Sequence, residues 1–278
     1  MVQNGVLHDV GTAENANPKH RAQMEDKHVV ENPFKGVANS AFLAVYDGHG
    51  GKEAADYAAE TLHKNLMTEL VTSPEISSDV GQIALERAYL TTDSQMKYVV
   101  PASCGTTAVT VLVTKKSETE RFLHVANVGD ARGVLCRDIS APELVAERLS
   151  IDHKPGEPSE KSRIEQCGGA VINHRVLGVL AVSRALGDHE LKSLVCGQPH
   201  TSSYVIGGQP GILLLGCDGV FDVMSDQESV EFLAGKCKEL QKDEPGGKGL
   251  ADKLAKAIVA EAIRRSTRDN VTAIVALL

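Results

Sequence analysis

Acidic side chains recur in one kind of place along this chain, at the end of an apolar run or in the turn beside it. Glu25 and Asp26 form one such site, Asp47 follows the run Ala41 to Tyr46, Asp218 follows Ile212 to Cys217, and Asp269 stands just before Val271 to Leu277. Strand ends and the loops beside them are where a rigid scaffold presents chemistry. Asp47 and Asp218 are each followed by glycine (Gly48, Gly219), which lets backbone come close to a bound ion. Brought together, such carboxylates repel by roughly 4 kcal/mol per pair about 4 Å apart at an effective dielectric of ~20, so cations or protons must compensate. An all-oxygen donor set favours Mg²⁺ or Mn²⁺ over Zn²⁺. Spacing alone leaves convergence open, because an isolated Asp-Gly is an ordinary turn and an isolated Glu-Asp pair an ordinary solvated one.

The elements that must position these groups follow from the apolar pattern. Strands are predicted at Ala41 to Tyr46, Thr107 to Val113, Phe122 to Val128, Gly133 to Cys136, Ile212 to Cys217 and Val271 to Leu277, most of them apolar on both faces. Such strands suit a sheet covered on both sides. Helical faces are formed by Ala55, Ala59, Leu62, Leu66 and Leu70, by Val230, Leu233, Ala234, Cys237 and Leu240, and by Leu250, Leu254, Ala257 and Ile258, with a weaker helix over Val80 to Lys97. Ser225 with Glu228 gives a capping-box start, and Pro245-Gly246-Gly247 breaks the last two helices apart. Strands cluster in the middle and helices in pairs, which argues against a doubly wound parallel sheet. The polar stretch Pro155 to Gly169 reads as a surface insertion, and the polar lead Gly11 to His20 leaves the pairing of a first strand open.

Bulk composition narrows the function classes. The 278 residues carry a formal charge of −8, with 42% hydrophobic and 24% charged residues, which fits a globular protein and disfavours nucleic acid or an anionic membrane as partner. The six cysteines are widely spaced without a Cys-x-x-Cys pair, so a reducing compartment is expected and neither a zinc site nor a disulfide framework. With no apolar segment long enough to span a membrane, the expectation is a soluble cytoplasmic protein, with the nucleus also open to it.

Eight motifs in order then resemble the metal-dependent protein phosphatases, protein phosphatase type 2C. They are Arg21 to Asp26 (RAQMED), Asp47 to Gly51 (DGHGG), Gly105 to Ala108 (GTTA), Ala126 to Arg132 (ANVGDAR), Asp152 to Pro155 (DHKP), Leu180 to Asp188 (LAVSRALGD), Cys217 to Asp222 (CDGVFD) and Arg268 to Thr272 (RDNVT). The resemblance implies an α+β fold, a central β-sandwich of two antiparallel sheets flanked by pairs of α-helices in an α-β-β-α four-layer order. It implies one catalytic domain over residues 1–278, with a flap-like surface segment at 154–175. Lys161, Arg163 and Arg175 of that segment are candidate contacts to a phosphoprotein, with a solvated surface charge the favoured reading of any one of them.

By the same resemblance the chain is a protein serine/threonine phosphatase, usually monomeric, acting on phosphorylated proteins through water or hydroxide bridging two divalent metals and without a phosphoenzyme intermediate. Asp47 bridges both Mg²⁺ or Mn²⁺ ions, Asp218 and Asp269 complete one site, and Glu25 with the Gly48 carbonyl completes the other. Asp130, with Asp218, matches a weaker third-metal position, and Asp26 accepts from metal-bound water. Arg21 matches the phosphate-binding arginine, and His49 the general acid for the leaving oxygen. Two other readings stay open: a binding protein built on the same fold, and a hydrolase of another phosphate ester.

Overall fold

The computed structural model describes residues 6–71, 73, 75–117, 120–243 and 249–278. The predicted break at Pro245-Gly246-Gly247 and the first five residues lie outside them. Two five-stranded antiparallel sheets form the centre. In the first, the order is β1 (Asp9–Asn15), β15 (Val271–Leu277), β14 (Ile212–Gly216), β8 (Arg132–Cys136) and β9 (Glu147–Arg148). In the second it is β13 (His200–Ile206), β7 (Arg121–Val128), β6 (Ala108–Lys115), β3 (Ser40–Tyr46) and β2 (Lys27–Glu31).

The two-faced apolar strands have the cause their pattern suggests. Along β3, Ala41, Leu43 and Val45 enter the core between the sheets with Val111, Leu123, Leu213 and Ile274. Phe42, Ala44 and Tyr46 point the other way, against helices α1 (Glu53–Leu70) and α2 (Ser78–Met96). Helices α5 (Asp226–Asp243) and α6 (Leu250–Arg264), with the short α4 (Asp218–Phe221), cover the first sheet through Leu233, Leu254 and Ile258. The result is the expected helix–sheet–sheet–helix order. Ser225 and Glu228 close the predicted capping box, each backbone N–H donating to the other's side chain at 2.9 and 3.2 Å.

The first strand is settled by pairing. All seven residues of β1 pair with β15, from Asp9 opposite Leu277 to Asn15 opposite Val271. Its polarity has a structural use: Asp9 accepts the Ala251 N–H at 2.9 Å at the start of α6, and a Cβ on Gly11 would lie 2.1 Å from the Asp252 nitrogen. The strand is polar because a helix N-terminus rests on it. Strands β2 and β13 also escaped the sequence reading, and both are half-exposed edges.

The stretch predicted as a surface insertion contains helix α3 (Pro158–Gln166), started by proline at its first turn. The hairpin β10 (Val171–Ile172) and β11 (Arg175–Val176) follows it. Ile164, Val176, Val182, Ala185, Leu194 and Val195 form a separate small core beneath. Glu160 is buried there, receiving Arg184 at 2.5 Å, Ser183 at 2.8 Å and Arg163 at 3.0 Å. Burial alone would raise its carboxyl, but these donors outweigh it and hold the pKa at about 2. Arg163 is thus no solvated charge, since it also donates to the Ser183 and Leu194 carbonyls at 2.7 and 2.9 Å. Arg175 stays exposed. Two further short strands, β4 (Gly48–His49) and β5 (Gly105–Thr106), join β12 (Leu186–Gly187) in a third sheet. No helix among the described residues is long and apolar enough to cross a membrane.

His124, in the middle of β7, is fully buried beside Thr114 and Ser203 at 3.0 and 2.9 Å, and burial lowers its pKa to about 4. The unfolded chain takes up that proton near pH 6.5. The neutral ring's contribution is therefore fully present above that pH and lost as pH falls from about 6.5 toward about 4. In urea unfolding, moving from pH 7 to 5 should remove about 2 kcal/mol on this account, and His124→Gln should lose correspondingly less over the same interval.

Candidate metal and active site

At one end of the two central sheets their loops meet around a cleft of about 650 Å³ lined by Arg21, Glu25, Asp47, Gly48, His49, Asp130, Asp218 and Asp269, with Asn173, His174 and Arg175 of the β10–β11 hairpin at its rim. Every residue predicted for the site except Asp26 lines it. Asp26 lies behind, 1% exposed, with the Thr272 hydroxyl donating to one carboxylate oxygen at 2.7 Å.

The convergence that spacing could not establish is built by close backbone approach. A Cβ on Gly48 would lie 2.5 Å from the Glu25 carbonyl oxygen, and one on Gly219 would lie 1.9 Å from that of Asn270. Glycine at these two positions therefore lets the Glu25 loop reach β4 and lets the turn at Asp218 reach the turn at Asp269. Asn270 fastens the assembly. Its side-chain amide donates to the carbonyls of Ala16 at 2.8 Å and Gln23 at 3.0 Å, and its side-chain oxygen accepts the Glu25 N–H at 2.9 Å. The backbone N–H of Asn270 donates to Asp269 at 2.7 Å. Residue spacing gave Asn270 no role, although it stands inside one of the motifs.

The electrostatics are those of acids crowded together. Burial, then Asp218, Asp26, Asp130 and Asp269, push the Asp47 carboxyl well above its ordinary range. Burial, then Asp130 and Asp269, raise Asp218 to about 8. Burial raises Asp26 to about 6 against the pull of Thr272. Asp130 is also raised by burial, although Lys154 lies 3.3 Å from it. One carboxylate oxygen of Asp26 and one of Asp218 are buried without a protein hydrogen-bond partner. Unpartnered buried carboxylate oxygens are costly and mark a place for a cation.

Asp26, Asp47 and the sulfur of Cys217 place ligand atoms within 4.8 Å of one another. Cys217 is a neighbour the sequence reading did not foresee. Its sulfur accepts the Thr272 N–H at 3.2 Å, and burial pushes its thiol pKa well up. It serves as packing behind the carboxylates. Arg21 forms an ion pair with Asp269. His49 Nε2 lies 2.7 Å from Asp188 Oδ2, a partner that spacing had not suggested.

A cleft crowded with carboxylates, in which Lys154 pairs with Asp130 and Arg21 with Asp269 while Asp47 and Asp218 have no ion pair among the described residues, defines a protein that binds divalent cations. Comparison with known proteins makes the assignment specific. The family description Protein phosphatase 2C matches residues 10–271. The chain is 37% identical over 269 residues to Protein phosphatase 2C homolog 1 of Schizosaccharomyces pombe, covering 95% of this chain and 72% of that protein. It is 33% identical over 285 residues to Protein phosphatase 2C homolog 1 of Saccharomyces cerevisiae, covering 98% and 94%. In fold it is similar to the crystal structure of a serine-threonine phosphatase 2C from Toxoplasma gondii, with a TM-score of 0.79 at 23% identity over 96% of this chain and 94% of that one. The chain belongs to the protein phosphatase 2C family and is a metal-dependent protein serine/threonine phosphatase.

A carboxyl whose pKa rises on folding opposes folding at neutral pH. Asp47→Asn, which removes one buried acid from the cluster, should therefore raise the thermal midpoint measured in chelator, by roughly 2–4 °C for each kcal/mol relieved. The same variant should lose most of the further rise that Mg²⁺ or Mn²⁺ gives the wild type. Calorimetric scans with and without cation check both signs.

Proposed function

We propose that the phosphatase acts through two Mg²⁺ or Mn²⁺ ions held by this cleft, with Asp47 bridging them, Asp218 and Asp269 on one, and Glu25 with the Gly48 carbonyl on the other. The observation that carries the reading is the pair of buried, unpartnered carboxylate oxygens on Asp26 and Asp218, beside an Asp47 carboxyl that burial and the neighbouring Asp218 push well up. When bound, such ions supply Lewis-acid activation of water and neutralise a phosphate dianion. Asp130, beside Asp218, is the candidate for a weaker third ion.

The remaining side chains act on substrate and water. Asp26, set behind Asp47, is placed to accept a hydrogen bond from water at the site and hold it for attack on phosphorus. Arg21 presents a planar fork at the cleft, and in taking a phosphate oxygen it exchanges the Asp269 carboxylate for the substrate. His49, half-buried in the lining, delivers a proton to the departing serine or threonine oxygen, so that no alkoxide is expelled. Attack by water leaves no phosphoenzyme.

The match over residues 10–271 supports reading the whole chain as one catalytic unit, with 154–175 as a flap beside the cleft. The charge of −8 speaks for a monomer and against nucleic acid or an anionic membrane as partner. The family match supports phosphoproteins as partners, and the widely spaced cysteines support a reducing compartment, the cytoplasm or nucleus.

Hydrolysis of a phosphothreonine peptide should stop in excess EDTA and return with added Mn²⁺ or Mg²⁺. Asp47→Asn should lower kcat/KM by about a hundredfold or more, the loss of several kcal/mol of charge stabilisation. Turnover that survives chelation, or a wild-type rate in the variant, would sink the two-ion reading.

A further inference from the structure

Asp188 has no part in the roles above, yet the third sheet is built around it. At the centre of that sheet stands Gly105, paired with His49 on one side and Gly187 on the other. A Cβ on Gly105 would lie 2.1 Å from Asp188 Oδ2 and 2.4 Å from His49 Nε2. The glycine thus leaves the space in which the two side chains meet. Asp188 is only 4% exposed. Its N–H donates to the Cys104 carbonyl at 2.8 Å and its carbonyl accepts the Leu191 N–H at 2.8 Å. Gly187 and Asp188 have φ of +83° and +49°, a left-handed turn that swings the carboxylate toward β4. Backbone, burial and glycine packing all serve one contact, His49 Nε2 to Asp188 Oδ2 at 2.7 Å.

We propose that Asp188 is a positioning residue for the dephosphorylation reaction: by engaging Nε2 it fixes the plane and tautomer of the His49 imidazole, and Nδ1 becomes the nitrogen that serves the leaving oxygen. The inference rests on the reading of His49 as proton donor. In the step, the bond from phosphorus to the serine or threonine oxygen breaks and its electron pair stays on that oxygen. The doubly protonated ring passes the Nδ1 proton to it and is left as the Nε2–H tautomer, held by Asp188. A ring free to turn, or one facing an amide that donates to Nε2, would present the wrong nitrogen.

Leaving-group acidity separates this role from a structural one. Phenyl phosphate and p-nitrophenyl phosphate differ little in size, but only the first has a leaving oxygen basic enough to depend strongly on a proton donor. Asp188→Asn suits the test because asparagine tolerates positive φ well. In the Mn²⁺-loaded enzyme it should lower the kcat ratio of phenyl to p-nitrophenyl phosphate by about tenfold or more, with a matching selective loss on a phosphothreonine peptide. His49→Asn should lower the same ratio, and the double variant should fall no further than His49→Asn alone. In the Mg²⁺ form, nitrogen NMR of the wild-type neutral ring should show the Nε2–H tautomer.

An Asp188→Asn ratio equal to wild type while His49→Asn is selective would overturn the inference and leave the proton-donor reading standing. So would an Nδ1–H tautomer in the wild type, an observation that needs no variant to fold. If His49→Asn itself leaves the ratio unchanged, the proton-donor reading fails and this inference falls with it.

Discussion

Like charges held out of water set the terms for this molecule. Asp26, Asp47, Asp130 and Asp218 are each pushed toward the protonated state by burial, and Asp47 and Asp218 also by the acids around them. A cluster of this kind does not assemble from flexible loops, which would splay to relieve the repulsion. It is imposed by strands fixed elsewhere: β3 delivers Asp47, β14 delivers Asp218, and β15 is preceded by Asp269. All three strands are buried along nearly their whole length. Their apolar side chains fill three cores and contribute on the order of 25 cal/mol per Å² removed from water. That burial offsets what the acids cost, and a divalent ion is the natural remainder of the balance.

Much of the architecture was legible because of that burial. Strands apolar on both faces, such as Ser40–Tyr46 and Val271–Leu277, stand out in any reading of the chain. The longer strands that escaped, Asp9–Asn15, Lys27–Glu31 and His200–Ile206, are sheet edges whose residues are mostly half-exposed, and the others are two-residue strands too short to show a pattern. Their signal is hydrogen-bond pairing, which leaves little mark on composition. The helix inside the supposed surface insertion escaped for a related reason. It buries Ile164 and Glu160, and a glutamate satisfied by two arginines and a serine looks in sequence like any surface acid.

For the site, residue types pointed to hard-cation chemistry, but only three-dimensional approach could bring the carboxylates together. That approach depends on Gly48, Gly219 and Asn270, whose part is to let backbone segments touch. A glycine after an aspartate is also the commonest of turn signals, so the same two letters carry both meanings. Asp188 was harder still, since its partner lies 139 positions away and the contact is made across a third residue, Gly105.

The hairpin bearing Asn173, His174 and Arg175 stands on six residues of its own, Ile164, Val176, Val182, Ala185, Leu194 and Val195, apart from the three cores of the sandwich. Packing there is settled locally, and Glu160 and Arg163 fasten the segment to Ser183, Arg184 and Leu194. Its outer surface is therefore open to sequence drift at small energetic cost to the layers that hold the acids. Substitutions on that outer face change what stands beside the cleft and leave the layers that hold the acids in place.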